Sequence, residues 1–136
     1  MSGEKLKTEI TEHKRTSQAL RERERKYRSL FEQTNDAVFL LDLKGNHLDA
    51  NQRAAKMLGY ERDELIGMNY ERIVDPDELS DSQNKLDLLL GGQTHPPYKR
   101  IFRRKDGTTL PVEINVELVR DDSGAPLNIQ SLAPDI

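Results

Sequence analysis

The chain has 136 residues, a net charge of −3 and 33% charged residues, which predicts a single domain able to bury a core of its own. The absence of cysteine excludes disulfides, thiolate nucleophiles and cysteine-ligated metal centres. No apolar run approaches the ~20 residues of a membrane span, and the start, MSGEKLKTEI, lacks a signal-peptide core. We therefore expect a cytoplasmic localisation and no membrane contact by this segment.

The N-terminal segment, residues 4–33, contains no Gly or Pro and is rich in Glu, Lys, Arg, Gln and Leu, a composition that favours helix. Alternating intervals of four and three residues connect its apolar positions, with polar side chains in the middle of the series. This spacing predicts a coiled-coil helix of ~39 Å that pairs two chains into a homodimer. The predicted seam consists of Leu6, Ile10, Leu20, Tyr27 and Phe31. The alternative is a solvated helix that lies on its own domain. We place the linker helix at residues 1–26 and the folded domain at residues 27–136.

Two apolar runs separated by a turn predict a β-hairpin. The run AVFLLDL (37–43) has the character of a buried strand, and KGN (44–46) is typical of a turn because Gly and Asn tolerate positive φ. The returning strand is HLDA (47–50), and we expect Leu48 and Ala50 to lie on one face of it.

Two short capped helices are predicted next. Asn51 suits an N-cap because its side-chain oxygen can accept an early backbone N–H. Gly59 stands where a left-handed residue is expected to end that helix. Residues 61–65 predict a second helical turn, which Gly67 closes. No pair of side chains in this stretch has a catalytic arrangement, so we interpret it as scaffold.

A longer helix follows a proline turn. Asp75 precedes Pro76 at a plausible helix start, since proline fits the first helical position. Residues 79–90 carry leucines and predict the helix itself, and the glycine pair at 91–92 ends it. The prolines at 96–97 then indicate a loop.

The last part of the chain predicts three antiparallel strands. Residues 98–104 and 108–120 flank the turn at 106–107, and residues 126–133 form the third strand. Apolar and polar side chains alternate without a break through the middle strand, which indicates one buried and one wet face.

The first hairpin must join these three strands, because an open sheet edge would otherwise remain. The element order therefore predicts an α+β fold. It consists of a five-stranded antiparallel sheet with short helices on one face, preceded by the long N-terminal coiled-coil helix. In the last strand we expect Leu127 and Ile129 to point towards the core.

Four stretches resemble, in this order, the PAS domain (sensory-box) family over residues 27–136: YRSLFEQTNDAVFLLD, GNHLDANQRAAKMLGYERDELIG, VDPDE and FRRKDGTTLPVEINVELVRDDSG. The resemblance implies an internal sensory or dimerisation module of a multi-domain signalling protein, without catalysis of its own. Such a module passes ligand- or partner-induced shifts to an adjoining output domain, here expected to be a histidine kinase or another PAS domain. The resemblance also implies a signal junction at Asp135 and Ile136.

PAS relatives hold small ligands on the concave face of the sheet, beneath the short helices. The resemblance therefore implies a candidate pocket lined by Phe39, Leu41, Met57, Leu58, Leu86, Leu90, Val112 and Ile114. Either this pocket holds an unidentified small molecule, or the side chains pack together and fill the space. In the second case the chain would be a non-sensing dimerisation domain of a kinase or nucleotide cyclase.

A flavin- or haem-binding sensor is a further alternative. Light-sensing flavin relatives use a cysteine that this chain lacks, and haem-binding relatives carry a histidine ligand in the helix that corresponds to residues 79–90. We therefore expect no cofactor. The spacing of His13, His47 and His95 supports no metal site, and His47 is expected at the surface because it opens a strand after a turn.

A basic cluster with interleaved aromatic residues could indicate nucleic-acid binding. Its cationic members are Lys99, Arg100, Arg103, Arg104 and Lys105. The simpler interpretation is a hairpin whose basic residues face water opposite acidic neighbours, and neither half of the chain is basic enough to favour nucleic acid. We therefore expect no nucleic-acid partner.

Overall fold

The computed structural model describes residues 19–26, 28–29 and 31–134. The chain divides into two units, Met1–Gln33 and Thr34–Ile136. Residues 19–26, 28–29 and 31–33 of the first unit are helical, and Leu20 is 60% exposed. Of the other seam positions, Phe31 is 6% exposed. Leu6, Ile10 and Tyr27 lie outside the described residues, as does the junction Asp135–Ile136. The extended coiled coil therefore stays a prediction.

The second unit contains the predicted five-stranded antiparallel sheet, with strand order β2-β1-β5-β4-β3. The first hairpin joins the other three strands through pairing of β1 with β5, as the open-edge argument requires. The strands are β1 Ala37–Leu41, β2 His47–Ala50, β3 Tyr98–Arg103, β4 Thr109–Arg120 and β5 Pro126–Ala133.

Short helices occupy the chain between β2 and β3. They are α1 Gln52–Leu58, α2 Arg62–Leu65 and α3 Leu79–Leu90, with single 3₁₀ turns at Tyr70–Arg72 and Pro76–Glu78. The predicted bounds of α3 are confirmed. Asp75 begins the turn before it, because its carboxylate accepts from the backbone N–H of Asp77 at 2.9 Å. The free edge of β3 is also covered here, since Asp75 donates its backbone N–H to the carbonyl of Ile101 at 2.9 Å.

Asn51 is the predicted N-cap of α1, and it also fastens that helix to the sheet. Its side-chain oxygen accepts from the backbone N–H groups of Ala54 and Val38, both at 3.0 Å. Its side-chain nitrogen donates to the carbonyl of Asp36 at 2.9 Å. The side chain is completely buried, so a single amide satisfies two buried backbone N–H groups and one part-buried carbonyl.

Two glycines hold positions that other residues would strain. Gly59 ends α1 with φ of 76°, which confirms the predicted left-handed cap. Gly45 has φ of 90° in the first hairpin, and a Cβ placed there would lie 2.3 Å from the ring of Tyr70. Glycine at this turn therefore permits both the backbone conformation and the close approach of the Tyr70 ring.

The prediction that Leu48 and Ala50 share a face of β2 is wrong, because the pairing with β1 is irregular. Phe39 lies opposite Ala50 and Leu41 lies opposite His47, so three residue steps on β2 match two on β1. The extra residue turns His47 and Ala50 to the same side and leaves Leu48 47% exposed.

The inward prediction for the last strand is half right. Ile129 is completely buried, whereas Leu127 is 55% exposed. Leu127 belongs to the far end of the β4–β5 hairpin, where residues 120–127 are all exposed. The alternation of apolar and polar residues along a strand indicates which side each residue faces. Burial also requires a second layer of structure over that part of the sheet.

Candidate functional site

A cavity of about 80 Å³ lies between α3 and the helix-covered face of the sheet. It is smaller than the ~300–1,000 Å³ pockets that hold drug-sized ligands. Most of its lining is apolar: Phe39, Leu41, Ile73, Val74, Leu86, Leu89, Phe102, Ile114, Val116 and Ile129. Polar atoms come from His47, Tyr70, Ser82, Lys85, His95, Tyr98, Arg100 and Ser131.

One face of α3 forms a wall of the cavity. Ser82, Lys85, Leu86 and Leu89 all line it, and their spacing of three, four and seven residues from Ser82 places them along one side of the helix. β5 contributes to the opposite side through Ile129 and Ser131. Any molecule in the cavity would therefore contact both α3 and β5.

The structure brings half of the predicted pocket residues together. Phe39, Leu41, Leu86 and Ile114 line the cavity. The other four lie elsewhere, as follows: Leu58 and Val112 in the filled core, Leu90 against the small cluster of Leu41, Leu89 and Ile129, and Met57 at a separate surface depression. The difference arises because the space beneath α1 is filled by side chains, whereas the space beneath α3 is not.

Two polar atoms in the cavity wall are buried without a partner in the described part of the chain. They are Oγ of Ser82 and Nε2 of His95. A buried hydroxyl or imidazole nitrogen without a hydrogen bond destabilises the protein by roughly 1–3 kcal/mol. These two atoms are available to a molecule inside the cavity, and no sequence pattern had singled out Ser82.

Arg100 corrects the interpretation of the basic cluster. Its side chain is 2% exposed, and its Nη2 donates to the Asp81 carboxylate at 2.9 Å, with Glu78 at 3.6 Å. Glu78 in turn accepts from the backbone N–H of Ile101. Arg100 therefore points inward and ties β3 to the start of α3, whereas Lys99 beside it is exposed as predicted.

A second cation and an aromatic ring complete this ionic group. Lys85 lies 3.1 Å from the Asp81 carboxylate, and both Lys85 and Arg100 lie about 5 Å from the centre of the Tyr98 ring. Hydrogen bonds from Arg100 and then Lys85 hold the pKa of Asp81 below its usual value. The cavity rim therefore places two basic side chains against two acidic ones.

His47 is buried rather than at the surface, being 3% exposed and lining the cavity. Its Nδ1 lies 2.7 Å from the carbonyl of Met68, which can only accept, so the proton resides on Nδ1. Burial lowers the pKa of His47 below its ordinary value, and the Met68 carbonyl opposes that shift only in part. The ring is therefore neutral at pH 7, with Nε2 as a hydrogen-bond acceptor.

Metal and membrane contacts find no support among the described residues. No group of three His, Cys, Asp or Glu side chains is placed to hold a metal ion within residues 19–26, 28–29 and 31–134. In the same part of the chain no helix is both long and apolar enough to cross a membrane.

Comparisons with known proteins agree with the fold. Residues 35–136 match the family model described as a PAS domain. A curated relative, the methyl sulfide methyltransferase-associated sensor of Methanosarcina acetivorans, is 27% identical over 92% of this chain and 12% of its own length. The "Probable diguanylate cyclase DgcE" of Escherichia coli is 27% identical over 85% of this chain and 10% of its length. The chain thus spans about a tenth of these relatives.

A solved domain of a sensory box sensor histidine kinase/response regulator from Geobacter sulfurreducens is similar in structure. Its TM-score is 0.70 at 27% identity, over 85% of this chain and 96% of that domain. Together with the match over residues 35–136 and the five-stranded sheet, this similarity settles the family. The chain belongs to the PAS domain family.

Proposed function

We propose that residues 27–136 form a sensory module that binds a small molecule in the cavity beneath α3 and passes the resulting shift to a flanking signalling domain. The observation that carries this proposal is a cavity beneath α3 with two buried polar atoms that have no partner in the described part of the chain. A side-chain set selected only for stability would fill the space or pair those atoms.

The proposed signal path runs from α3 through β5 to the chain's end. Ser131 and Ile129 line the cavity on β5, and that strand ends at Ala133, two residues before the junction Asp135–Ile136. A shift of β5 by occupancy of the cavity would therefore reach the junction with little intervening chain. This continuity supports a role in communication rather than catalysis for the segment.

The proposed partners are a second copy of the chain and a signalling domain. The seam Leu6, Ile10, Leu20, Tyr27 and Phe31 would pair two linker helices, residues 1–26, as a coiled coil. The output domain would be a histidine kinase, another PAS domain or a cyclase, since the relatives carry sensor, histidine kinase and diguanylate cyclase names. The net charge of −3 supports the absence of nucleic-acid contact, and the proposed location is cytoplasmic, without membrane contact by this segment.

The size of the cavity disfavours a haem or flavin. Each of these groups has several times the ~5–8 non-hydrogen atoms for which about 80 Å³ leaves room. A visible absorption band that survives purification would favour the flavin or haem alternative over our proposal.

The proposal can be tested by fusing the catalytic core of a histidine kinase after Ile136 and measuring autophosphorylation. Leu86→Phe adds volume at the cavity, whereas Leu88→Phe makes the same change on α3 outside the cavity lining. We expect Leu86→Phe to change kinase output at least threefold and Leu88→Phe to leave it unchanged. Native mass spectrometry of the unfused chain reports any retained molecule and the dimer mass together.

Two results would contradict the sensory role. One is kinase output that responds equally to both phenylalanine substitutions. The other is output that ignores Leu86→Phe although the variant remains folded by circular dichroism. Either result would favour a structural dimerisation domain, in which the dimer persists and the cavity has no influence.

A further inference from the structure

We propose that the cavity takes a small neutral organic molecule of roughly five to eight non-hydrogen atoms, with an apolar body and a hydroxyl, carbonyl or amide head bound by Ser82 and His95. This proposal rests on the sensory function proposed above and names the chemical class that the cavity recognises.

The size limit follows from the cavity volume. One water molecule needs about 10–15 Å³ on the scale on which this cavity measures about 80 Å³, so the space holds roughly five to eight such atoms. Branched amides, short alcohols and small cyclic ketones are within this range. Nucleotides and fused-ring cofactors are not.

The two polar atoms without a partner in the described residues determine which polar head group the ligand needs. Ser82 is 9% exposed, its Oγ is buried, and a hydroxyl both donates and accepts. Nε2 of His95 is buried without a partner in the described residues and acts as donor or acceptor according to the ring tautomer. A primary amide both donates and accepts, so it suits either atom in either of its roles. Its binding would remove the free-energy penalty of leaving them unpaired.

The charged and polar groups that face the cavity favour a neutral ligand. Arg100 and Lys85 already pair with Asp81, and Arg100 also lies near Glu78, so the cations are opposed within the protein. His47 donates to the Met68 carbonyl from Nδ1 and presents an acceptor at Nε2. A carboxylate would bring an additional negative charge towards Asp81, Glu78 and a histidine lone pair, and it would lose its own hydration.

The apolar body follows from the rest of the lining. Phe39 and Ile129 from the sheet are almost or completely buried, at 3% and 0% exposed, and Leu89 of α3 faces them at 4%. Each apolar group that enters this space adds contacts to atoms that now border a void. We therefore expect a branched aliphatic or small ring body rather than a second polar end.

A matched pair of probes separates charge from shape. Isobutyramide and isobutyrate have the same size and shape, but the first is neutral and the second is an anion at pH 7. Both would be titrated into the purified chain and followed by amide nuclear magnetic resonance shifts. We expect isobutyramide to shift amides of α3 and β5 saturably and to bind at least tenfold more tightly than isobutyrate.

Two serine variants on the same helix test the head group. Ser82→Ala removes the cavity hydroxyl, whereas Ser80→Ala removes an exposed one two residues earlier. We expect Ser82→Ala to weaken isobutyramide binding about three- to tenfold and Ser80→Ala to leave it unchanged. The Ser82 hydroxyl has no partner in the described residues, so Ser82→Ala should melt at the same or a higher temperature than the parent. The melting temperature also checks independently that the variant is folded.

Each remaining outcome overturns the inferred ligand class. Isobutyrate binding as tightly as isobutyramide would contradict the neutral head. Equal binding by both serine variants would contradict the role of Ser82. If neither probe binds, the class is wrong; the sensory proposal then stands only if Leu86→Phe still changes kinase output, and it falls with the class otherwise.

Discussion

Two regions on the same face of the sheet are built differently. Beneath α1 and α2 the side chains leave no exposed surface on Ala50, Ala54, Leu58 and Leu65, and Asn51 satisfies three backbone groups. Beneath α3 a cavity of about 80 Å³ remains, and Oγ of Ser82 has no partner in the described residues. The two regions share a sheet and differ in how completely they fill it.

The difference indicates a division between scaffold and moving part. A filled core has low compressibility, so α1 cannot shift without losing many contacts. α3 is attached to β3 by side-chain ion pairs from Arg100 and borders empty space, so a small displacement loses fewer contacts. Sensory movement is therefore expected at α3, with α1 and α2 holding the sheet in place.

The largest expected effect is loss of the Asn51 amide. Asn51→Ala would remove the partner of two buried N–H groups, those of Val38 and Ala54, and of the part-buried carbonyl of Asp36. We expect a loss of about 3 kcal/mol in the free energy of unfolding, measured by urea denaturation. Asn84→Ala, at an exposed position of α3, should change it by less than about 0.5 kcal/mol. Similar values for the two variants would contradict the role assigned to Asn51.

Truncation of one leucine beneath α1 and one on α3 compares the two regions directly. Leu58→Ala would open a new void in a completely buried site and should destabilise by about 3–4 kcal/mol. Leu86→Ala enlarges an existing cavity beside a half-buried side chain, so about 1–2 kcal/mol is expected. Denaturant titrations of both variants give the comparison, and a larger loss for Leu86→Ala would mean that α3 carries more of the packing than α1.

Substitution of Arg100 tests how α3 is held against β3. Arg100→Ala would break the ion pair with Asp81 and leave space where the buried side chain packs on Tyr98, so we expect a loss of about 2 kcal/mol. Lys99→Ala, at the exposed neighbouring position of β3, should lie within about 0.5 kcal/mol of the parent. Equal destabilisation by the two substitutions in thermal melts would mean that Arg100 faces water, as the sequence suggested.

A smaller effect is expected from the protonation of His47. The pKa of His47 is lowered in the folded state, so the unfolded state binds the proton more readily. The contribution of the neutral ring to the free energy of unfolding is therefore complete above pH ~6.5. The free energy of unfolding should fall as the pH drops through the lowered pKa, with a slope of at most about 1.4 kcal/mol per pH unit. Carboxyl groups with lowered pKa values, such as Asp81, act in a separate window below their usual 3.8.

His47→Gln provides the check on that slope. Chemical denaturation between pH 7.5 and 5 should show a flatter pH dependence for the variant than for the parent. An unchanged slope would place the responsible proton on another group.

Local signals in the sequence were sufficient for the elements and their caps. Residues 79–90, Asn51 and Gly59 were predicted correctly because leucine content, side-chain capping and positive φ are properties of a few adjacent residues. The burial of His47 was missed because it depends on an irregular pairing between two strands. Arg100 was missed because its partner Asp81 lies on a helix nineteen residues earlier.

The cavity was predictable only in outline for a similar reason. Phe39 and Leu58 have the same apolar character in the sequence, yet one lines the space and the other fills the core. Which of the two occurs depends on the helix that covers each position and on how far its side chains reach. Unpaired atoms such as Oγ of Ser82 can be identified only once every neighbour is placed.

Native-state hydrogen exchange compares the scaffold with the moving part most directly. It measures the free energy of opening for amides in α1, such as Ala55, and for the middle of α3, residues 84–87. We predict that the α3 amides open at least about 2 kcal/mol more easily than those of α1, and that Leu86→Phe narrows this difference by filling the cavity. If the amides of both helices had the same free energy of opening, the result would contradict a mobile α3 on a rigid scaffold.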